Sequence, residues 1–442
     1  MTTRRADLVI DARWVIPVEP EGAALADHSV VLDRGRITAV VPTGQVAASF
    51  APAERLGFPE HALIPGLVNL HTHAAMTLMR GLADDRPLMA WLQEHIWPAE
   101  TRHVSPEFVY DGTLLASAEM LRGGVTCAND MYFFPESAAR AFVDAGMRAS
   151  LGLIAIEFPS AYASDAEDYL RRGLELRDRV GGEPLLSFCM APHAPYTVAD
   201  GTFRRIATLA EELDLPVHVH LHETASEVEE SLAQHGRRPL ARLEALGLLT
   251  ERLIAVHAVH LAGSEIAALA RAGSSVAHCP SSNLKLASGF ARVGELLAHG
   301  VNVGIGTDGA ASNNRLDMFQ EMRTTALLAK GVAGSAEAVP AHEALRLATL
   351  GGARALGLDR GIGSIVPGKW ADLVAVTLGA PETQPCFDPV SHLVYACGRE
   401  HVTDVWVAGK AVVAGRQPTR IDPGELEKRA ALWQNRLGTR SS

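Results

Sequence analysis

The sequence predicts an α/β fold: a (β/α)8 TIM barrel carrying a composite β-sandwich domain formed by the N- and C-terminal segments. Three observations predict it. Short apolar runs recur eight times, at Leu63–His73, Gly124–Asp130, Arg148–Glu157, Leu185–Pro195, Pro216–Glu223, Arg252–His260, Ser274–Pro280 and Val301–Asp308. Between most of them lie helix-like segments rich in Ala, Leu, Glu and Arg, such as FRRIATLAEELD and PLARLEALGLL, the rhythm of parallel βα units. Both ends of the chain have a different, strand-and-turn texture. An open doubly wound sheet is the competitor, but no G-x-G-x-x-G follows the first strand.

Taken in order, ADLVIDARWVIPV and HSVVLDRGRITAVV, punctuated by Gly and Pro, read as strands within residues 1–62. The barrel follows over 63–362. GSIVPGKWADLVAVTL and HVTDVWVAGKAVVAG return to strand texture within 363–417, and these two ends are expected to form one small sheet domain. Residues 418–442 close the chain with GELEKRAALWQNRL, read as a surface helix. Within the barrel, polar residues break the apolar runs at one end: His71 and His73, Asp130, Glu157, His193, His220 and Glu223, His257 and His260, and Asp308. Barrel active sites are assembled from residues at the C-terminal ends of different strands, so these positions are the candidates.

Composition narrows the function. The 442 residues are 48% hydrophobic and 21% charged, which fits a globular protein. The net charge of −11 argues against a nucleic-acid or anionic-membrane binder, whose affinity would come from basic charge. The 5 cysteines are scattered with no C-x-x-C pair, against a disulfide framework or zinc knuckle and for a reducing compartment. MTTRRADLVIDARWV lacks a signal-peptide apolar region, and no run of about 20 apolar residues appears, so a cytoplasmic location is expected. With 18 histidines beside so few cysteines, imidazole and carboxylate are the expected ligands of any metal.

PGLVNLHTHAAM puts His71 and His73 two apart at a strand end, where alternation points both side chains to one face. Two imidazoles there can chelate one cation. PVHVHLHET offers His218, His220 and His222 on one face. His220 is the preferred ligand because Glu223 lies just past it, and the other two read as packing or as partners that orient a ligand. VNVGIGTDGAASNN delivers Asp308, which can ligate a metal and accept a proton from water. In isolation it reads as an Asp-Gly turn; the histidines upstream reverse that. APHAPYT and VHAVHL bring His193 and His257 to strand ends, and WLQEHIWPAE brings Glu100 close to Trp91 and Trp97. PSSNLKLASG reads as a polar loop that lines a pocket or caps a helix. Three imidazoles and one carboxylate with an open position suit a catalytic zinc or iron centre. No lysine ends the fourth run, where a bridging carbamate would hold a second metal, so one divalent metal is expected, zinc ahead of iron.

These motifs resemble the amidohydrolase superfamily, and within it the S-adenosylhomocysteine/5′-methylthioadenosine deaminases of the chlorohydrolase-like branch. The resemblance runs from the N-terminal strands through LIPGLVNLHTHAAMTLMRGLADD, WLQEHIWPAE, APHAPYT, HVHLHET, VHAVHL, HCPSSNLKLASG and GTDGAASNN to GSIVPGKWADLV. It implies one divalent metal held by His71, His73, His220 and Asp308. It makes Glu223 the proton shuttle, His257 the residue beside the attacking water, His193 a substrate contact and Glu100 the carboxylate that takes the ribose hydroxyls, with Trp91 beside it. The family's arginines for a homocysteine carboxylate are not evident after the third strand, where SLGLIAIEFPSAY stands. Arg148, at that strand's start, is the nearby candidate. The expected substrate shifts accordingly toward 5′-methylthioadenosine, adenosine or a related 6-aminopurine nucleoside, with S-adenosylhomocysteine behind them. The expected partners are a small nucleoside and other copies of the chain, with no nucleic acid and no membrane. The rivals are a guanine, pterin or triazine deaminase or chlorohydrolase of the same branch and, from another class, a barrel that has lost catalysis and serves as a scaffold. A compact zinc deaminase of nucleic acid is disfavoured, since P-C-x-x-C is lacking.

Overall fold

In a computed structural model of the chain, residues 3–438 are described. Residues 1, 2 and 439–442, expected in the terminal sheet and helix, lie outside the described residues. Eight parallel strands form one sheet in chain order: β1 (Leu67–Thr72), β2 (Val125–Asp130), β3 (Arg148–Ala155), β4 (Leu186–Pro192), β5 (Val217–Leu221), β6 (Leu253–His257), β7 (Ser275–His278) and β8 (Asn302–Ile305). Helices follow the strands, and β1, β2, β3, β5, β6 and β7 are buried along their whole length. That double-sided burial is why their sequences read as continuous apolar runs rather than alternating ones.

The ring closes between β8 and β1. The Asp308 amide donates to the His71 carbonyl at 3.0 Å, and Asn69 bridges to Thr307 through both its oxygen and its nitrogen. A Cβ on Gly306 would stand 2.8 Å from the His71 nitrogen, so only glycine lets the seam close here. The metal-ligand candidates of β1 and of the segment after β8 are thereby brought side by side.

A second sheet of eight strands takes its members from both ends of the chain. Arg4–Val15 pairs in parallel with Phe50–Pro65 and antiparallel with Leu25–Asp33, which pairs with Arg36–Pro42. Phe50–Pro65 also pairs with Leu373–Thr377, and Val402–Val407, Lys410–Ala414 and Gln417–Pro418 continue the sheet. Leu8, Ile10, Leu32, Leu63, Leu373 and Trp406 from its two halves share one core, so the sheet folds over itself. The run expected as one strand over Leu63–His73 is thus two: Leu63 belongs to this outer sheet and β1 begins at Leu67. The break falls at Gly66, where a Cβ would meet Thr126 Oγ1 at 2.0 Å.

The helix Pro423–Gly438 lies on the surface as expected, with Leu426 and Trp433 buried beneath it. The Trp433 indole N–H donates to Asp111 at 2.9 Å, and its ring packs edge-on against Phe108. The terminal helix is therefore pinned to the barrel helix Pro106–Arg122.

Candidate active site

Four side chains from three places in the barrel converge at the C-terminal ends of the strands. His71 Nε2 and His73 Nε2 stand 3.4 and 3.3 Å from Asp308 Oδ1, and His220 Nε2 stands 3.2 Å from His71 Nε2. Each ring is held from behind. His73 Nδ1 contacts the Met131 carbonyl at 2.6 Å, His220 Nδ1 the His193 carbonyl at 2.7 Å, and His71 Nδ1 the buried His218 Nε2 at 3.0 Å. Contacts on the outer nitrogens aim the inner ones at a common point, the arrangement that orients imidazole ligands. Burial pushes His71 down to about 4 and His220 well below the usual imidazole range, so both offer neutral lone pairs.

Asp308 is anchored as firmly. Its Oδ2 accepts from the hydroxyls of Ser282 and Ser312 at 2.6 and 2.7 Å, and its Oδ1 from the Gly309 amide at 2.7 Å. Burial opposes its ionisation, but the facing His71 and His73 outweigh that and hold the carboxyl well below the usual range. Its backbone is left-handed, φ +59°, and so is that of His257, φ +69°. Such conformations persist at sites where the surroundings enforce them. His257 Nδ1 donates to Asn283 Oδ1 at 2.8 Å, and its Nε2 faces Glu223 Oε2 at 3.7 Å. Burial raises the Glu223 carboxyl, with His257 partly opposing it.

These groups form one end of a cavity of about 490 Å³. Trp91, Trp97, Glu100, Tyr132, His193 and Tyr196 line it further out. Nine residues of ordinary α-helix span about two and a half turns, which would put Trp91 and Glu100 on opposite faces. A wider π turn at Leu92–Ile96 brings both to the cavity. The Tyr132 hydroxyl donates to Glu100 at 2.7 Å, and burial pushes the Glu100 carboxyl up to about 7. His193 is tied to Thr197 Oγ1 at 3.0 Å.

The structure therefore brings His71, His73, His220, Asp308, Glu223, His257, His193, Glu100 and Trp91 to one cavity. Arg148 is the correction. It stands first in β3, at the far end of the barrel, and does not line the cavity. Its guanidinium donates to Asp372 at 3.0 and 3.2 Å and to the Pro184 carbonyl, so it ties the barrel floor to the outer sheet instead of meeting substrate. Glu157, another strand-end carboxylate, accepts from the Ala199 amide and the Thr202 hydroxyl and so caps the helix Asp200–Leu213. Residue types alone did not mark Ser282, Asn283, Ser312 and Tyr132. The available signal was the polar run PSSN, expected as a loop but folded as the start of the helix Pro280–Lys285, whose Ser282 and Asn283 support Asp308 and His257.

The donor set, three imidazoles and one carboxylate with a cavity on the open side, fits a divalent ion with a position left for water. The Amidohydrolase family model matches residues 62–412. The chain belongs to the amidohydrolase family. This amidohydrolase is 47% identical over 438 residues to the 5-methylthioadenosine/S-adenosylhomocysteine deaminase of Teredinibacter turnerae, covering 99% of each chain. It is 46% identical to the enzyme of the same name from Saccharophagus degradans, covering 98% of this chain and 97% of that one. An adenosine deaminase from Xanthomonas campestris, solved with bound zinc, superposes with a TM-score of 0.98 at 53% identity over 99% of this chain and all of that one. Atrazine chlorohydrolase from Arthrobacter aurescens superposes at 0.89 with 23% identity, covering 96% of this chain and 99% of that one, a likeness of fold alone. No helix among the described residues is long and apolar enough to cross a membrane.

Proposed function

We propose that this amidohydrolase hydrolytically deaminates a 6-aminopurine nucleoside, converting it and water to the 6-oxo nucleoside and ammonia. The observation that carries the reading is the joint placement, in one cavity, of a four-ligand centre, the Glu223–His257 pair and the Glu100–Tyr132 pair. His71, His73, His220 and Asp308 would hold a divalent ion, such as the zinc bound in the Xanthomonas campestris relative, which would supply the charge that makes water acidic near neutral pH. Asp308, kept ionised by its neighbours, accepts the proton that the water gives up. His257, locked by Asn283, orients the water toward purine C6. Glu223, whose raised carboxyl favours the acid form, protonates N1 as negative charge builds on the ring. The proton held by Asp308 then leaves with the amino group as ammonia, and the hydroxyl left on C6 gives its proton to Glu223, which yields the 6-oxo product and restores both carboxyl groups.

Glu100 accepts hydrogen bonds from the ribose hydroxyls beside the one it takes from Tyr132, and a free base leaves that remaining capacity of a buried carboxylate unused, so a free base is a poor substrate. Beyond it the wall is apolar, with Leu88, Trp97, Ile154 and Phe158, and no Lys or Arg lines the cavity among the described residues. An uncharged 5′ group, methylthio or hydroxyl, suits that wall better than the charged tail of S-adenosylhomocysteine.

The test is a substrate panel followed by ammonia release and loss of the adenine chromophore. 5′-Methylthioadenosine and adenosine should turn over well, S-adenosylhomocysteine more slowly, and adenine, guanine and melamine hardly at all. Turnover of adenine as fast as its nucleosides would refute the Glu100 assignment. Preference for guanine or melamine would refute the nucleoside reading altogether.

A further inference from the structure

His71 is the one imidazole of the centre whose outer nitrogen does not rest on an oxygen. The Nδ1 atoms of His73, His220 and His257 meet the Met131 carbonyl, the His193 carbonyl and Asn283 Oδ1. Such oxygens only accept, so each of those rings carries its proton on Nδ1 and turns the Nε2 lone pair inward. His71 Nδ1 instead meets His218 Nε2 at 3.0 Å, and an imidazole nitrogen can play either part.

Two arrangements satisfy that contact. In the first, His218 Nε2–H donates to His71 Nδ1. His71 then keeps its own proton on Nε2, 3.4 Å from Asp308 Oδ1, and has no lone pair for an ion. In the second, His71 Nδ1–H donates to His218 Nε2, which frees His71 Nε2 and places the His218 proton on Nδ1. That nitrogen is buried and has no hydrogen-bond partner. An orphaned N–H is costly, so the arrangement competent to bind an ion carries a penalty that His73 and His220 do not.

We propose that His218 is a positioning residue: its Nε2 accepts the His71 Nδ1 proton and so keeps the His71 Nε2 lone pair turned inward for the ion. This rests on the reading of the centre as a metal site, and the experiment separates the two.

Full-length wild type, His218→Gln and His218→Leu are stripped with chelator, checked for folding by thermal melting, and titrated with zinc against a chromophoric competitor. Glutamine offers an amide oxygen to the same proton and should retain wild-type affinity. Leucine offers nothing and should weaken zinc binding about 10- to 100-fold, the usual cost of removing a ligand's supporting partner. Wild-type affinity in His218→Leu overturns the inference, whereas a wild type that binds no zinc overturns the metal centre itself. Nitrogen-15 imidazole spectra of zinc-loaded wild type give an independent readout that needs no variant. A proton on His218 Nδ1 supports the proposal, and a proton on His218 Nε2 overturns it.

Discussion

Glu100 and Glu223 are the same residue type in one cavity, yet each is tuned by its own surroundings. Burial dominates both, but Tyr132 steadies Glu100 by donating to it, while His257 faces Glu223 as a proton partner. The Glu100 carboxyl, raised to about 7, is ionised above that pH and protonated below it. A ribose-accepting carboxylate is therefore lost as pH falls through about 7, and KM for 5′-methylthioadenosine should rise by up to about tenfold per unit below it. Glu100→Gln should raise KM and flatten this profile, measured by initial rates across the neutral range. Glu223→Gln should leave KM close to wild type and cut kcat by about 10²- to 10⁴-fold, the usual worth of a general acid. His71, His73, His220 and Asp308 were legible because each interrupts an apolar run at a strand end. His218 was legible only as packing or an orienting partner for some ligand, not as the partner of His71, 147 residues away; Tyr132, 32 residues from Glu100, was not legible at all, because no local spacing encodes such meetings.

At the level of elements, the site depends on how strand ends and their following loops are held. The loop after β1 is fastened across the mouth by Asp84, which accepts from Lys285 at 2.6 Å and from Asn314 at 2.9 Å. Lys285 also reaches the Ala311 carbonyl and Asn314 Oδ1. Loops from β1, β7 and β8 thus meet in one polar tie. Lys285→Ala should raise KM several-fold and speed proteolysis within residues 81–87, with the melting temperature nearly unchanged, because exposed ion pairs contribute little stability. The seam at Gly306 is less forgiving. Gly306→Ala would press a methyl into the His71 backbone and should cost about 1–3 kcal/mol, read as a lowered melting temperature together with weaker zinc binding. The barrel rhythm was readable in advance; the division of Leu63–His73 between two sheets was not, because both halves are equally apolar and only the crowding at Gly66 separates them.

Over the whole molecule, the barrel is held to a sheet that begins and ends the chain. The β texture of both ends was plain in the sequence, and their union in one sheet domain followed from it; the register was not legible, since Phe50–Pro65 and Leu373–Thr377 pair across some three hundred residues. Arg148 shows the same limit. Its position near the third strand invited a substrate role, whereas its partner Asp372 lies 224 residues away in the outer sheet. Both side chains are almost wholly buried, so Arg148→Ala strands a carboxylate and should cost about 3–5 kcal/mol in chemical denaturation. The kcat/KM of the folded fraction should stay at the wild-type value, which a substrate contact could not do.

The central claim is that one metal ion, held by His71, His73, His220 and Asp308, serves deamination of a nucleoside in the cavity beside it. Titrating chelator-stripped enzyme with zinc while following ammonia release from 5′-methylthioadenosine tests it most directly. Activity should rise linearly and break at about one zinc per chain, as a single four-ligand catalytic site requires. A break near two ions per chain, or no ammonia at any zinc level from folded protein, would contradict it.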